Sequence, residues 1–177
     1  MFEIDVRPLT EHDIPSIVEY WKTRTDENLL QMGADKEKLQ QVDFQKLISD
    51  QLALPINEKK FFYVIWVLNG NPIGHSNVNN IQFGNHAYMH LHIWQADNRT
   101  RGIGTQLVKK SLAIYFKELQ LQRVYCWPNA FNPAPNKTLR RVGFDLLEEH
   151  HICIPGFVNF EQPVNCYEMT AEKFSSL

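Results

Sequence analysis

The sequence lacks any apolar run that approaches the roughly 20 residues needed to span a membrane, so no membrane partner is expected. Its first residues carry Glu3, Asp5 and Arg7 in place of an apolar signal segment, and a cytoplasmic location is expected. It has only three cysteines and no CxxC spacing, which excludes a zinc ribbon and a disulfide framework. The formal net charge of -2 gives no bulk electrostatic reason to bind nucleic acid.

What is present is typical of one domain over residues 1–177, because 44% of the residues are hydrophobic and 21% are charged. The alternation of apolar and charged residues in Phe2–Leu9 predicts a half-buried strand. Apolar residues at helical spacing predict an amphipathic helix over Glu11–Thr23 and a second helix over roughly Asp35–Leu54, with a polar connection between them.

Three further strands are predicted to follow in a meander. Phe61–Leu68 is apolar, aromatic and β-branched, and Asn69-Gly70 supplies the positive backbone dihedrals of a tight turn. The next strands cover about Pro72–Gln82 and His86–Trp94. In the last of these, Met89, Leu91 and Ile93 point to one face, and Tyr88, His90, His92 and Trp94 point to the other.

The second half of the chain changes to a strand, helix, strand order. Ile103–Leu119 has helical spacing, and Leu121–Trp127 is predicted to be a strand. Such a crossover normally connects parallel neighbours, so the sheet is expected to be mixed, with an antiparallel N-terminal part and a parallel pair near the middle.

The segment Asn98–Thr105 lies between a predicted strand and a long predicted helix, where several backbone N–H groups have no partner within the helix. Gly102 and Gly104 allow a ligand to approach the backbone closely, and the helix dipole favours an anion. Arg99 and Arg101 add positive charge, so the loop predicts a diphosphate site. Leu107 stands where a dinucleotide fingerprint requires glycine, and the chain has no GK[ST] triplet of a nucleotide-binding loop.

With Arg99, Gly102 and Gly104, the loop resembles the [Q/R]-x-x-G-x-[G/A] signature of the GNAT superfamily of acyltransferases. The downstream segment from Asn132 to Gly143-Phe144 resembles the family's second element, an asparagine before a short helix that ends in Gly-Phe. This second element is most similar to the branch that contains the ribosomal-protein alanine N-acetyltransferases RimJ and RimL.

The resemblance implies an α/β (α+β) fold: a mixed, mostly antiparallel twisted sheet of about six to seven strands with a central parallel pair, flanked by about four helices. It also implies acetyl-coenzyme A as the donor and an amine, either a protein or peptide N-terminus or a small molecule, as the acceptor. Association into a homodimer is left open. The residues that the resemblance assigns to the coenzyme are Ile93, Trp94, Arg99, Arg101, Gly102, Ile103, Gly104, Thr105, Asn132 and Lys137. Among them, Ile93 and Trp94 would pair with the pantetheine arm and Lys137 would meet a nucleotide phosphate, or else be a solvated helix lysine.

The chain departs from the family pattern at two catalytic positions. The tyrosine that many members use to protonate the leaving thiolate is replaced by Leu139, and Pro135 replaces a serine common in the RimJ-like branch. A carboxylate frequent early in the fourth strand is also missing, and His90 and His92 stand nearby as candidate general bases, because imidazole titrates near neutral pH.

Each candidate has a plainer interpretation. His90 and His92 would equally suit hydrogen-bonded sheet residues, or an HxH pair on a zinc ion without a visible third ligand. The missing tyrosine also allows a coenzyme-binding module without catalysis. The acceptor pocket is expected between Arg24–Ala34 and the strands around Phe157–Tyr167, where Asp26 and Glu27 would either attract a cationic amine or only end a helix.

Overall fold

The computed structural model describes residues 3–95 and 102–177. Seven strands form one sheet in the order β1-β2-β3-β4-β5-β7-β6. The strands are β1 (Ile4–Pro8), β2 (Phe62–Leu68), β3 (Asn71–Gln82), β4 (His86–Ile93), β5 (Arg123–Cys126), β6 (Asp145–Cys153) and β7 (Gln162–Thr170). The predicted mixed sheet is confirmed, because every neighbouring pair is antiparallel except β4 with β5.

Seven α-helices lie in the described ranges, more than the expected four or so. They are α1 (Ile14–Lys22), α2 (Asp26–Met32), α3 (Lys36–Gln40), α4 (Phe44–Ala53), α5 (Ile103–Glu118), α6 (Pro133–Val142) and α7 (Ala171–Ser175). None of the helices in these ranges is long and apolar enough to cross a membrane.

The predicted helix over 35–54 and the predicted connection before it were wrong in detail. The connection contains α2, which begins where the Thr25 side chain accepts the backbone N–H of Asn28. Asp35 caps α3 and Asp43 caps α4 in the same way, so short polar residues divide this stretch into three helices. These local side-chain caps outweigh the apolar spacing that predicted one continuous helix.

The sheet separates two apolar layers, and β2 shows why. Val64 and Trp66 face a large core that includes most of the buried side chains of α5, whereas Tyr63 and Ile65 face a second core under α1 to α4. Alternate residues of a strand point to opposite faces, so the apolar run of β2 is buried on both sides. The Asn69-Gly70 turn that joins β2 to β3 has the expected positive φ at both residues, 50° and 77°.

The parallel pair at the middle of the sheet is short. β4 pairs with β5 from His86 to Tyr88, opposite Arg123 to Tyr125. β4 then continues to Ile93, pairing with β3 but with no further β5 partner in the described residues. One edge of the last residues of β4 is therefore open, and the candidate site lies at this gap.

Candidate functional site

A cavity of about 300 Å³, here called the large cavity, opens where the end of β4 faces the first turns of α5 and α6. It brings together most of the residues that the sequence singles out: His92, Ile93, Gly102, Ile103, Gly104, Thr105, Asn132 and Lys137. His90 and Trp94 lie outside its lining, and Arg99 and Arg101 lie outside the described residues.

The start of α5 forms one wall of the large cavity. Gly102 is the N-cap residue with φ 92°, a left-handed conformation that glycine adopts without strain, and no side chain caps this end. The backbone N–H groups of Ile103, Gly104 and Thr105 therefore have no partner within the helix, and they favour an anion. A Cβ on Gly104 would be in ordinary contact with Thr138 Oγ1 at 3.6 Å, so alanine would fit there.

Positive side chains complete the electrostatics of the large cavity. Lys137 and Arg141 line it from α6, one helical turn apart, and Arg24 lines it from the end of α1. The sequence analysis missed Arg141, although its spacing of four residues from Lys137 on a predicted helix was a usable signal. It also assigned Arg24 only to the edge of an acceptor pocket.

The end of β4 is held by Arg24. Its guanidinium donates to the backbone carbonyl of Trp94 at 3.1 Å, and the Trp94 N–H donates to the Ile73 carbonyl at 2.9 Å. Both backbone groups of Trp94 are thus engaged, so its predicted pairing with a pantetheine arm is not supported. Backbone groups of successive strand residues point to opposite edges, so those of Ile93 face the open gap beside β4.

Two smaller cavities, each of about 90 Å³, lie beyond His92. The aromatic cavity is lined by side chains that include Trp21, Phe44, Phe61, Tyr63 and Phe157. The strand-gap cavity lies between β4 and the end of β5, with Met89, Cys126 and Trp127 in its wall. His92 lines all three cavities, so it stands where the large cavity meets the two smaller ones.

The ring of His92 is packed among other rings. Its Nδ1 shares a hydrogen bond of 3.1 Å with the Tyr20 hydroxyl, and the ring stacks on His75 at 4.7 Å. Burial lowers the pKa of His92 well below 6.5, and positive charge on His75, His90 and Arg24 acts in the same direction. At neutral pH the ring is therefore uncharged and able to accept a proton.

His90 has a different position. It lines the aromatic and strand-gap cavities, its Nε2 is buried without a hydrogen-bond partner in the described part of the chain, and burial lowers its pKa to about 4. The structure therefore does not bring the two predicted histidines to the same place. Within residues 3–95 and 102–177, no group of three His, Cys, Asp or Glu side chains is placed to hold a metal ion.

Two neighbours in β3, missed from the sequence, position His92. His75 is fully buried, and its Nδ1 accepts a 2.8 Å hydrogen bond from Trp94 Nε1, which places the proton of the neutral ring on Nε2. Gly74 lies beside the end of β4: a Cβ there would overlap the His92 carbonyl oxygen and lie 3.1 Å from the Ile93 Cα. A glycine inside a strand signals such a close approach, so Gly74 could have been recognised.

A buried amide network holds the start of α6. Asn136 Nδ2 donates to the carbonyls of Asn129 and Asn132, at 3.0 and 2.7 Å. Its Oδ1 accepts from Asn165 Nδ2 at 2.7 Å and from the Tyr167 hydroxyl at 3.1 Å. This network fixes Asn132, which lines both the large cavity and the strand-gap cavity.

Other residues of α6 match the expectations for its second half. Leu139, in the place of the family's tyrosine, is fully buried in the core, so it offers no group to the site. The helix ends as predicted at Gly143, whose φ of 106° is left-handed.

Comparison with known proteins agrees with this geometry. A family model described as an acetyltransferase (GNAT) domain matches residues 4–145. No curated protein sequence matches the chain. Similar solved structures include a spermidine N-acetyltransferase from Vibrio cholerae in complex with CoA and spermine (TM-score 0.76, 17% identity, 97% of this chain and 98% of that one).

Two other solved structures are similar to the same degree. One is RimL, a ribosomal alpha-N-protein acetyltransferase in complex with coenzyme A (TM-score 0.74, 16% identity, 96% of this chain and 95% of that one). The other is an aminoglycoside acetyltransferase in complex with coenzyme A and kanamycin (TM-score 0.70, 18% identity, 98% of each chain). At these identities the likeness is one of fold.

Proposed function

Because the chain belongs to the family of GNAT acetyltransferase domains, we propose that it transfers the acetyl group of acetyl-coenzyme A to a primary amine, as one domain over residues 1–177. The observation that carries this proposal is the meeting of three cavities at His92: the large cavity is built for an anion, and the smaller ones are shielded and uncharged. A donor on one side and an acceptor on the other would meet at this ring.

The donor would occupy the large cavity. Its pyrophosphate would accept hydrogen bonds from the free amides of Ile103, Gly104 and Thr105, and Lys137 and Arg141 would lie near its other phosphate. The pantetheine arm would then run between Asn132 and the open edge of Ile93. Arg99 and Arg101 stay in the proposal as sequence predictions.

The acetyl transfer would take place at the junction. The amine nitrogen forms a bond to the thioester carbonyl carbon, the carbon–sulfur bond breaks, and the surplus amine proton passes to His92. The backbone N–H of Ile93 would stabilise the negative charge that develops on the carbonyl oxygen. His92 lines the large cavity as well, so the protonated ring can return its proton to the leaving thiolate, a role for which Leu139 has no group.

The RimJ and RimL branch remains a finer proposal. The pattern from Asn132 to Phe144 supports it, and RimL is among the similar structures. The spermidine and aminoglycoside acetyltransferases are similar to an equal degree, so the acceptor must be argued from the cavities themselves.

We expect the double variant Lys137→Ala/Arg141→Ala to bind coenzyme A about 10-fold more weakly, because each exposed ion pair contributes up to about 1 kcal/mol. Titration calorimetry measures this, and the loss should shrink as salt is added. The matched control is Lys110→Ala/Lys117→Ala, which removes the same charge from exposed positions of α5 outside the large cavity. Equal weakening in both double variants would show that only net charge matters and would contradict the proposed site.

A further inference from the structure

The two smaller cavities form one shielded compartment beyond His92. They share His90, His92, Met32 and Asn159 in their linings. A cover formed by the α2–α3 turn and the β6–β7 connection closes this compartment: Asn159 Nδ2 donates to the Gly33 carbonyl at 2.8 Å, and Lys38 Nζ donates to the Asn159 carbonyl at 2.7 Å. A molecule that reaches His92 from this side must fit an enclosed space of small-molecule size.

The walls of the aromatic cavity suit a flat apolar body. Trp21 and Phe44 are stacked with ring centroids 5.5 Å apart, and Phe61 meets Phe157 edge to face at 5.6 Å. Such faces and edges favour another ring, beyond the gain from burying its area.

Polar atoms at the floor of the compartment lack partners. Asn79 Oδ1 and His90 Nε2 are buried on the same face of the sheet, and neither has a hydrogen bond to any described residue. Because an amide oxygen only accepts hydrogen bonds, Asn79 requires a donor such as a hydroxyl group. A buried acceptor left without a donor is costly, so a ligand that supplies one is favoured.

The spacing of these groups limits the length of the ligand. On β3, His75 pairs with His92, and Asn79 lies four residues further along on the same face. At the rise of a strand this separation is about 13 Å. A para-hydroxylated ring on a two-carbon amine chain spans it when hydrogen-bond reach is added at both ends.

Charge limits the acceptor further. Within the described residues, every side chain that lines the aromatic and strand-gap cavities is uncharged. The cation nearest to His92 is Arg24, which lowers the pKa of that ring, and Asp26 is engaged by Lys36 at the surface, 2.6 Å away. A second ammonium group on the acceptor would therefore lose its hydration without gaining a counter-ion.

We propose that the acceptor is a primary monoamine with an uncharged aromatic body and a ring hydroxyl, of the hydroxyaryl-ethylamine type, with its amine at His92 and its hydroxyl at Asn79. This inference rests on the proposed function, because it takes acetyl transfer at His92 as given.

The test compares kcat/KM for five amines by release of the coenzyme A thiol: tyramine, phenethylamine, spermidine, kanamycin and a peptide with a free N-terminal alanine. We expect tyramine to exceed phenethylamine about 10-fold or more, because only tyramine satisfies Asn79, and to exceed spermidine and kanamycin by a larger factor. In Asn79→Leu, a change of similar size that removes the acceptor, the ratio of tyramine to phenethylamine should fall to about 1. Asn71→Ala, at an exposed position of the same strand, should keep the wild-type ratio.

Each other outcome overturns a defined part of the account. A preference for spermidine, kanamycin or the peptide overturns the acceptor class and leaves acetyl transfer intact. Turnover of none of the five by a protein that binds coenzyme A in calorimetry also overturns the acceptor class. Failure to bind coenzyme A overturns the proposed function itself. Should Asn79→Leu retain the preference for tyramine, or fail to fold while the wild type shows equal kcat/KM for the two arylamines, the hydroxyl site is wrong.

Discussion

Replacement of His92 by alanine is expected to lower kcat by about 100- to 10,000-fold, the range associated with a positioned general base. The affinity for coenzyme A should change little, because the phosphates would be held by the start of α5 and by α6, and not by this ring. Calorimetry and thiol release on the same preparation separate the two effects. His12→Ala, at an exposed position of the N-terminal region, is the control and should keep full activity.

The pH dependence of kcat gives an independent readout. The neutral ring is the active form of His92, and its pKa lies well below 6.5, so activity at saturating acceptor should persist through neutral pH and fall only on the acid side of 6.5. This acid limb should disappear from the residual activity of His92→Ala. If the variant turns over at the wild-type rate, or keeps the same limb, His92 is not the base.

His90→Ala separates the roles of the two histidines. Because His90 lines only the two smaller cavities, its loss should act mainly on the KM for the amine. A loss of kcat equal to that of His92→Ala, at unchanged KM, would instead assign the proton transfer to His90.

Gly74→Ala is expected to lower kcat on the order of 100-fold, since a shift of about 1 Å in a reacting group can have this effect. The new Cβ would overlap the His92 carbonyl oxygen, so β4 must move away from β3 at His92 and Ile93. Both the base and the proposed oxyanion donor would be displaced, with a loss of unfolding free energy of about 1–3 kcal/mol from overpacking. Steady-state kinetics and thermal unfolding measure the two effects.

The control for Gly74→Ala is Gly70→Asn in the β2–β3 turn. A Cβ on Gly70 meets no described atom within 4 Å, and asparagine tolerates its φ of 77°. This variant should fold and react like the wild type. Unchanged kcat in Gly74→Ala would mean that the exact placement of the end of β4 does not control the reaction.

The backbone order of this protein could be predicted from local patterns. The period of β1, the Asn69-Gly70 turn, the apolar run of β2, the helical spacing of α5 and the left-handed Gly143 each carry their signal within a few residues. The division into short helices between 26 and 53 could not be predicted, because three capping side chains there compete with a plausible apolar period.

The site was predictable where it follows a motif and not where it depends on distant contacts. Gly102–Thr105, Asn132 and Lys137 belong to two local segments, and the structure brings them to one cavity. The bond from Arg24 to Trp94 joins positions 70 residues apart, and the stacking of His75 on His92 depends on strand register. Such contacts have no local pattern, so the engagement of Trp94 by Arg24 had no signal in the sequence.

The central claim is that free amides at the start of α5 hold the pyrophosphate of coenzyme A, and a crystal structure of the protein with coenzyme A tests it most directly. The account predicts pyrophosphate oxygens about 2.7–3.2 Å from the backbone nitrogens of Ile103, Gly104 and Thr105, with the thiol directed past Asn132 toward His92. A coenzyme bound elsewhere, with these amides turned to solvent, would contradict it.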